Sequence, residues 1–251
     1  MLKALLFSLA AIAAAAPAES DGGVRALQEP AGDAFVTTFP REGRPSRFNP
    51  TEQLWRRMVA EGHLTSLRSR MTSTSGNRIC DIGAADGSLT GYLSTALGMT
   101  AAAYDIVLPT ENIYSETPDH VGSVQTPVAL FDGATIPQPR DACGITLFAY
   151  VLHHAANNTY SLLRDAARAT HPSGYVLVTE DLAAPANVER SARNLLHDPH
   201  GIFRTLDDWT SLFEALGLEL VNHGNLFGDD DPQHYFVTRP RPESGRPSSE
   251  K

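Results

Sequence analysis

The sequence is short of cysteine, of positive charge and of long apolar runs, and each shortage narrows what the chain can be. Two cysteines, Cys80 and Cys143, in 251 residues cannot staple a disulfide-rich miniature, so the chain must fold on a hydrophobic core. Lys and Arg number 20 against 29 Asp and Glu, a net charge of −9, and no basic block occurs. A surface that tracks phosphates needs the opposite surplus, so nucleic acid is not the expected partner. The most apolar run, Ala4–Ala16, falls short of the roughly 20 residues a bilayer span requires, so no stable membrane anchor is expected.

What is present begins with that run. Lys3 precedes it and Ala16-Pro17-Ala18 follows, with small residues where a signal peptidase reads, so residues 1–18 are expected to be a signal peptide. The protein is then expected in the secretory pathway, secreted, or in an organelle reached by that route. Glu19, Asp21, Glu29 and Asp33 speak against a mitochondrial transit peptide. Residues 19–47 carry Gly, Pro and scattered charge without period and read as a linker or N-terminal arm; residues 240–251 read as a disordered tail. One domain is expected between, over residues 48–239.

That domain opens with a helix start: Asn49 as N-cap, Pro50 at the first helical position, Glu52 at the third, then Leu54, Trp55, Met58 and Val59 as an apolar stripe ended by Gly62. From Arg78 the pattern alternates. Strands are predicted at Arg78–Ile82, Thr100–Ile106, Val128–Phe131, Gly144–Val151, Tyr175–Thr179, Leu218–His223 and His234–Thr238. Helices are predicted at Leu89–Leu97, around Leu162–Ala167 with Pro172 and Gly174 closing it, and around Trp209–Leu216, where Thr205 and Asp208 are spaced as a capping box. The last two strands, joined by the turn-rich Gly224–Gln233, predict an antiparallel hairpin at the edge. The expected fold is therefore α/β: a doubly wound, mostly parallel seven-stranded sheet of Rossmann-like form with an antiparallel edge hairpin. The link from Ile106 to Pro127 shows no helical stripe.

The residues with chemistry cluster at the expected strand ends. Asp81-Ile82-Gly83-Ala84-Ala85-Asp86-Gly87-Ser88 runs from the first strand through a small-residue turn into a helix. Small side chains at Gly83, Ala85 and Gly87 let a ligand approach the backbone. A dinucleotide fingerprint would space its glycines to place a pyrophosphate on the helix N-terminus, and this spacing does not, which argues against a nicotinamide oxidoreductase. It suits S-adenosyl-L-methionine, which has no phosphate. Asp105 at the end of the second strand can accept from ribose hydroxyls, and Asp132-Gly133 at the end of the third can reach an adenine amino group; either Asp81 or Asp132 could instead cap a helix or a turn.

The stretch from Ile79 to Asp181 resembles class I S-adenosylmethionine-dependent methyltransferases. It carries Asp-Ile-Gly-Ala-Ala-Asp-Gly at 81–87, Tyr-Asp at 104–105, Phe-Asp-Gly at 131–133, Val-Leu-His-His at 151–154, and the helix, turn and fifth strand at 162–178. Ala85 departs from the glycine most common there. The resemblance implies in-line methyl transfer to a nucleophile, on a small-molecule acceptor, with Asp81, Gly83, Ala85, Gly87, Asp105, Asp132 and Gly133 binding the cofactor. Where the nucleophile carries a proton, His153 and His154 are the base candidates, only one of which could face substrate from a strand; Glu180-Asp181, after the fifth strand, are alternative polar groups for the substrate rim. A non-catalytic cofactor-binding or scaffold protein on the same fold is the rival reading.

No metal is expected: His153 and His154 cannot chelate one ion from a strand, and Asp229-Asp230-Asp231 reads as solvated loop charge. Cys80 and Cys143 are expected on neighbouring parallel strands as free thiols, because that pairing rarely offers disulfide geometry. Asn157-Asn158-Thr159 is the one acceptable N-glycosylation sequon, expected beside the substrate mouth and therefore modified partly or not at all.

Overall fold

A computed structural model describes residues 50–71, 76–107, 125–183, 200–225 and 233–241, with the isolated positions 189, 192, 194 and 195. The segments expected as signal peptide and arm, residues 242–251 of the expected tail, the Asn49 cap, Asp229–Asp231 and most of the 106–127 link lie outside the described residues, while Pro240 of that tail pairs within the last strand.

Seven strands form one sheet: β1 (Arg78–Ile82), β2 (Thr100–Asp105), β3 (Val128–Leu130), β4 (Cys143–Ala149), β5 (Thr170–Asp181), β6 (Leu218–Asn225) and β7 (Gln233–Pro240). Their order is β3-β2-β1-β4-β5-β7-β6. The first five run parallel, while β7 pairs antiparallel with both β5 and β6. The expected doubly wound sheet with its antiparallel hairpin is present, and the order reverses between β1 and β4, which opens a crevice at the carboxyl ends of those strands.

Helices α1 (Pro50–Ala60), α2 (His63–Arg70) and α3 (Ser88–Leu97) cover one face. Leu54, Trp55, Met58, Leu64, Leu67 and Leu93 pack there on Ile79, Ile145, Leu147 and Leu177. Helices α4 (Thr159–Ala169) and α5 (Leu206–Ala215) cover the other, where Leu162, Leu163, Ala166, Trp209 and Phe213 meet Ile82, Phe148, Val176, Val178 and Phe236. Burial on both faces explains why β4, buried from Cys143 to Phe148, reads as a near-continuous apolar run. The α5 start is as predicted: Thr205 accepts from the Asp208 N–H, and the Asp208 side chain accepts from the Thr205 N–H. Among the described residues no helix is long and apolar enough to cross a membrane.

Three expectations change. β5 begins at Thr170, so Pro172 and Gly174 lie inside it and α4 ends at Ala169. A Cβ on Gly174 would lie 2.4 Å from the Gly144 carbonyl oxygen, so the glycine serves close backbone approach between strands. β4 stops at Ala149, because Tyr150 turns to φ 55, which leaves Val151, His153 and His154 beyond the strand. Cys80 and Cys143 are bonded as a disulfide with Cα atoms 5.9 Å apart, not free. Cys143 precedes the β1–β4 ladder, which begins at Ile79 and Ile145, and extra residues of β5 break the β4–β5 register between Cys143 and Ile145; there Cys143 packs on the face of Cys80, within bridging distance.

Candidate active site

The turn from β1 to α3 hangs on β2. The Gly83 and Ala84 N–H groups both donate to the Tyr104 carbonyl, at 2.8 and 3.0 Å. Ala85 sits at φ 50 and its N–H donates to Asp105 Oδ2 at 2.9 Å. The Val107 N–H reaches Oδ1 at 3.3 Å, so this carboxylate, buried at the end of β2, ties the turn to the neighbouring strand. Gly87 sits at φ 77, and a Cβ there would lie 2.1 Å from the Thr126 carbonyl oxygen, which only glycine avoids.

Asp81 is 1% exposed. Its Oδ2 accepts from the Thr90 hydroxyl at 2.5 Å, while Oδ1 has no hydrogen-bond partner in the protein, and neither has Ser88 Oγ at the start of α3. Burial, with the Asp105 charge adding to it and the Thr90 bond opposing it, pushes the Asp81 carboxyl up to about 7. Buried polar atoms without partners at a small-residue turn fit a ligand with a polar, cationic end.

Asp132 is placed differently. It is exposed, and its Oδ1 takes the N–H groups of Ala134 at 2.8 Å and Thr135 at 2.7 Å, which hold the carboxyl below its ordinary range. With Gly133 at φ 75 this is a side-chain-capped turn. The Phe131 N–H donates to the Asp105 carbonyl, so the turn follows directly from the β2–β3 pairing.

The two histidines lie in a turn and not on a strand, and they part company there. His153 is buried and His154 exposed. His153 Nδ1 meets Glu180 Oε2 at 2.5 Å, and Glu180 Oε1 accepts the Leu152 N–H at 2.6 Å. Glu180 is fully buried at the end of β5, so sequence reading named both members of this pair without joining them. Phe203 stacks on the His153 ring at 5.2 Å, and the Ile202 N–H donates to the His153 carbonyl at 2.8 Å. Arg204 is near enough to Glu180 to feel its charge. The loop that carries His153 meets the β1–α3 turn: the Val151 side chain, two residues before His153, would lie 2.3 Å from a Cβ on Gly83.

Sequence reading missed Thr90, Ser88 and Phe203. Thr90 carried a signal, a polar residue one turn before Leu93 on the inward stripe of α3. Phe203 carried none, since it stands in an aperiodic segment before α5. The sequon forms a short 3-10 turn with Asn157 exposed and Thr159 buried, its hydroxyl donating to the Leu152 carbonyl at 3.0 Å. Among the described residues no group of three or more His, Cys, Asp or Glu is placed to hold a metal.

Similar folds are found among solved structures. Bacillus subtilis YcgJ is 16% identical, with 72% of this chain and 99% of that one covered at a TM-score of 0.52. A Haloferax volcanii chain from a complex with the Trm112 methyltransferase activator is 13% identical, covering 78% and 99%, with a TM-score of 0.53. The mitomycin 7-O-methyltransferase MmcR is 21% identical over 75% of this chain and 57% of its own, with a TM-score of 0.50. These are likenesses of fold. No curated protein matches the chain. Residues 26–223 match the methyltransferase-domain family, and with this strand order the chain belongs to the class I S-adenosylmethionine-dependent methyltransferases.

Proposed function

We propose that the protein methylates a hydroxyl of a small molecule, with His153 as base. The observation that carries this is the buried His153–Glu180 pair beside the cofactor turn. A buried carboxylate held on Nδ1 favours the proton there and makes Nε2 the basic nitrogen, the arrangement that general-base catalysis needs. Phe203 stacked on the ring keeps its plane.

S-adenosylmethionine, when bound, supplies a methyl already activated by the sulfonium charge. The chain's residues do the rest. Asp105 offers carboxylate lone pairs at the β2 end, Asp81 and Ser88 offer the buried unpartnered oxygens, and Ala85 and Gly87 keep the turn clear of side chains. His153 takes the hydroxyl proton as the oxygen attacks, and Glu180 stabilises the imidazolium that results. The net charge of −9 and the O-methyltransferase among the similar folds support a small molecule over nucleic acid.

The test is methyl transfer from labelled cofactor to a panel of hydroxylated small molecules, with His153→Ala beside the wild type. The variant should bind S-adenosylhomocysteine normally and lose turnover by about 10²-fold or more. An unchanged rate would remove His153 from the chemistry. Binding without turnover on any acceptor would favour the non-catalytic reading.

The compartment belongs to the same proposal. The signal-like residues 1–18 and the Cys80–Cys143 disulfide together support maturation in an oxidising secretory compartment. Intact mass of natively produced protein should show the leader lost and a mass two hydrogens below the reduced chain. Retained Met1 would defeat it, and full glycosylation at Asn157 would place the acceptor mouth elsewhere.

A further inference from the structure

We infer that Asp81 is a proton switch in the cofactor pocket: it holds its proton in the free protein and releases it to solvent when a cationic amino-acid ligand binds beside it. The inference rests on the cofactor reading above and adds a regulatory property to it.

The surroundings of Asp81 do not favour a lone negative charge. β2 and β4 place Ala103 and Leu147 beside it, neither of them ionisable. From α3 it receives the Thr90 hydroxyl. The β1–α3 turn brings Asp86, whose Oδ1 is occupied by the Ser88 N–H at 2.9 Å. The end of β2 brings a second carboxylate, Asp105. α1, packed against α3, places Arg56 over the Tyr92 ring 4.2 Å away. Among the described residues no ion pair to Asp81 forms. A carboxylate that is 1% exposed, with one hydroxyl donor on one oxygen and nothing on the other, is poorly stabilised as an anion. Burial sets its midpoint at about 7, within the range a cell visits.

A ligand with an ammonium or sulfonium group supplies the missing countercharge. Binding then converts Asp81 from carboxylic acid to carboxylate, and one proton leaves for the buffer as one cation arrives. Below pH 7 affinity should fall by up to about tenfold for each unit of acidification, and above it level off. A methyltransferase in an acidified compartment would load its cofactor less readily than the same protein near neutrality.

Isothermal titration of the full chain with S-adenosylhomocysteine and with S-adenosylmethionine tests this at about pH 6, in buffers of different ionisation enthalpy. We expect close to one proton released per ligand. Release with both ligands identifies the ammonium as the cation; release with S-adenosylmethionine alone identifies the sulfonium. Asp81→Asn should bind without release and with a flat affinity profile. Thr90→Val, which removes the one hydroxyl favouring the anion, should move the affinity rise to higher pH. That variant and the wild-type proton count stand even if Asp81→Asn does not fold. Tight wild-type binding with no proton release, or release that persists in a folded Asp81→Asn, would overturn the switch while leaving the cofactor site. Failure of folded wild type to bind either ligand at any pH would overturn the cofactor reading, and the switch with it.

Discussion

Gly83, Ala85 and Gly87 of the β1–α3 turn share a left-handed backbone, and the last two should respond to substitution in opposite directions. Ala85 holds φ 50 with a Cβ, a conformation that costs an L-residue about 1 kcal/mol. Ala85→Gly should therefore stabilise the fold by up to about 1 kcal/mol in chemical denaturation, offset in part by added freedom of the unfolded chain. Lower stability would mean that the Ala85 methyl is packed to advantage. Gly87→Ala meets a backbone carbonyl 2.1 Å away and should cost about 3 kcal/mol or more. Asp105→Ala removes the acceptor for the Ala85 and Val107 N–H groups as well as for a ribose. Its affinity for S-adenosylhomocysteine should fall by about 10- to 100-fold, and an unchanged dissociation constant would exclude Asp105 from the site.

Among the elements, α5 and the β1–β4 pair carry the separable contributions. The Thr205–Asp208 capping box satisfies donors at the α5 start, so Thr205→Ala should cost about 1 kcal/mol in urea denaturation, without effect on cofactor binding. The Cys80–Cys143 bridge closes a loop across a separation of 63 residues. Chain-entropy reasoning gives such a closure about 4 kcal/mol at most, so the double Cys→Ser variant should be markedly less stable than the oxidised protein. Equal stability would show that the bridge constrains nothing the sheet does not already hold. Because Cys80 adjoins Asp81, the same variant's affinity for S-adenosylhomocysteine also reports whether the surroundings of Asp81 depend on the bridge.

For the whole molecule, two buried groups tilt stability against pH in opposite senses. His234 bonds Asn225 through Nδ1 at 2.7 Å and His223 through Nε2 at 3.0 Å, and burial, with His223 adding to it, holds it down to about 3. It folds neutral, so its contribution is lost as pH falls from the unfolded value near 6.5 toward 3. Asp81, raised to about 7, acts the other way: stability is lost as pH rises from its ordinary value near 4 toward 7. The slopes offset between roughly pH 4 and 6.5. Urea denaturation of Asp81→Asn should then reveal a loss on acidification, and His234→Gln a gain, each on the order of a few kcal/mol. Parallel pH profiles for both variants and wild type would contradict this account.

Alternation of strands and helices, with acids at successive strand ends, was enough to predict the sheet, its edge hairpin and the placement of Asp81, Gly83, Ala85, Gly87 and Asp105 on one rim. These are local signals: apolar periodicity, caps and small-residue turns act between residues a few positions apart, so they stand written along the chain. The capping box at Thr205 is an instance. What the tertiary structure alone decided lies across the sheet. His153 and Glu180 are 27 residues apart, and their union required β4 and β5 to end side by side. The disulfide formed where Cys143 stands beyond the β1–β4 ladder and extra residues of β5 break the β4–β5 register, and no spacing rule marks where a ladder slips. Asp132 shows how the two can overlap: its strand-end position matched a ligand contact, while backbone N–H groups two and three residues on also bond its Oδ1. A side chain's partners depend on which competing donors the folded chain brings within reach, and that competition is settled in three dimensions.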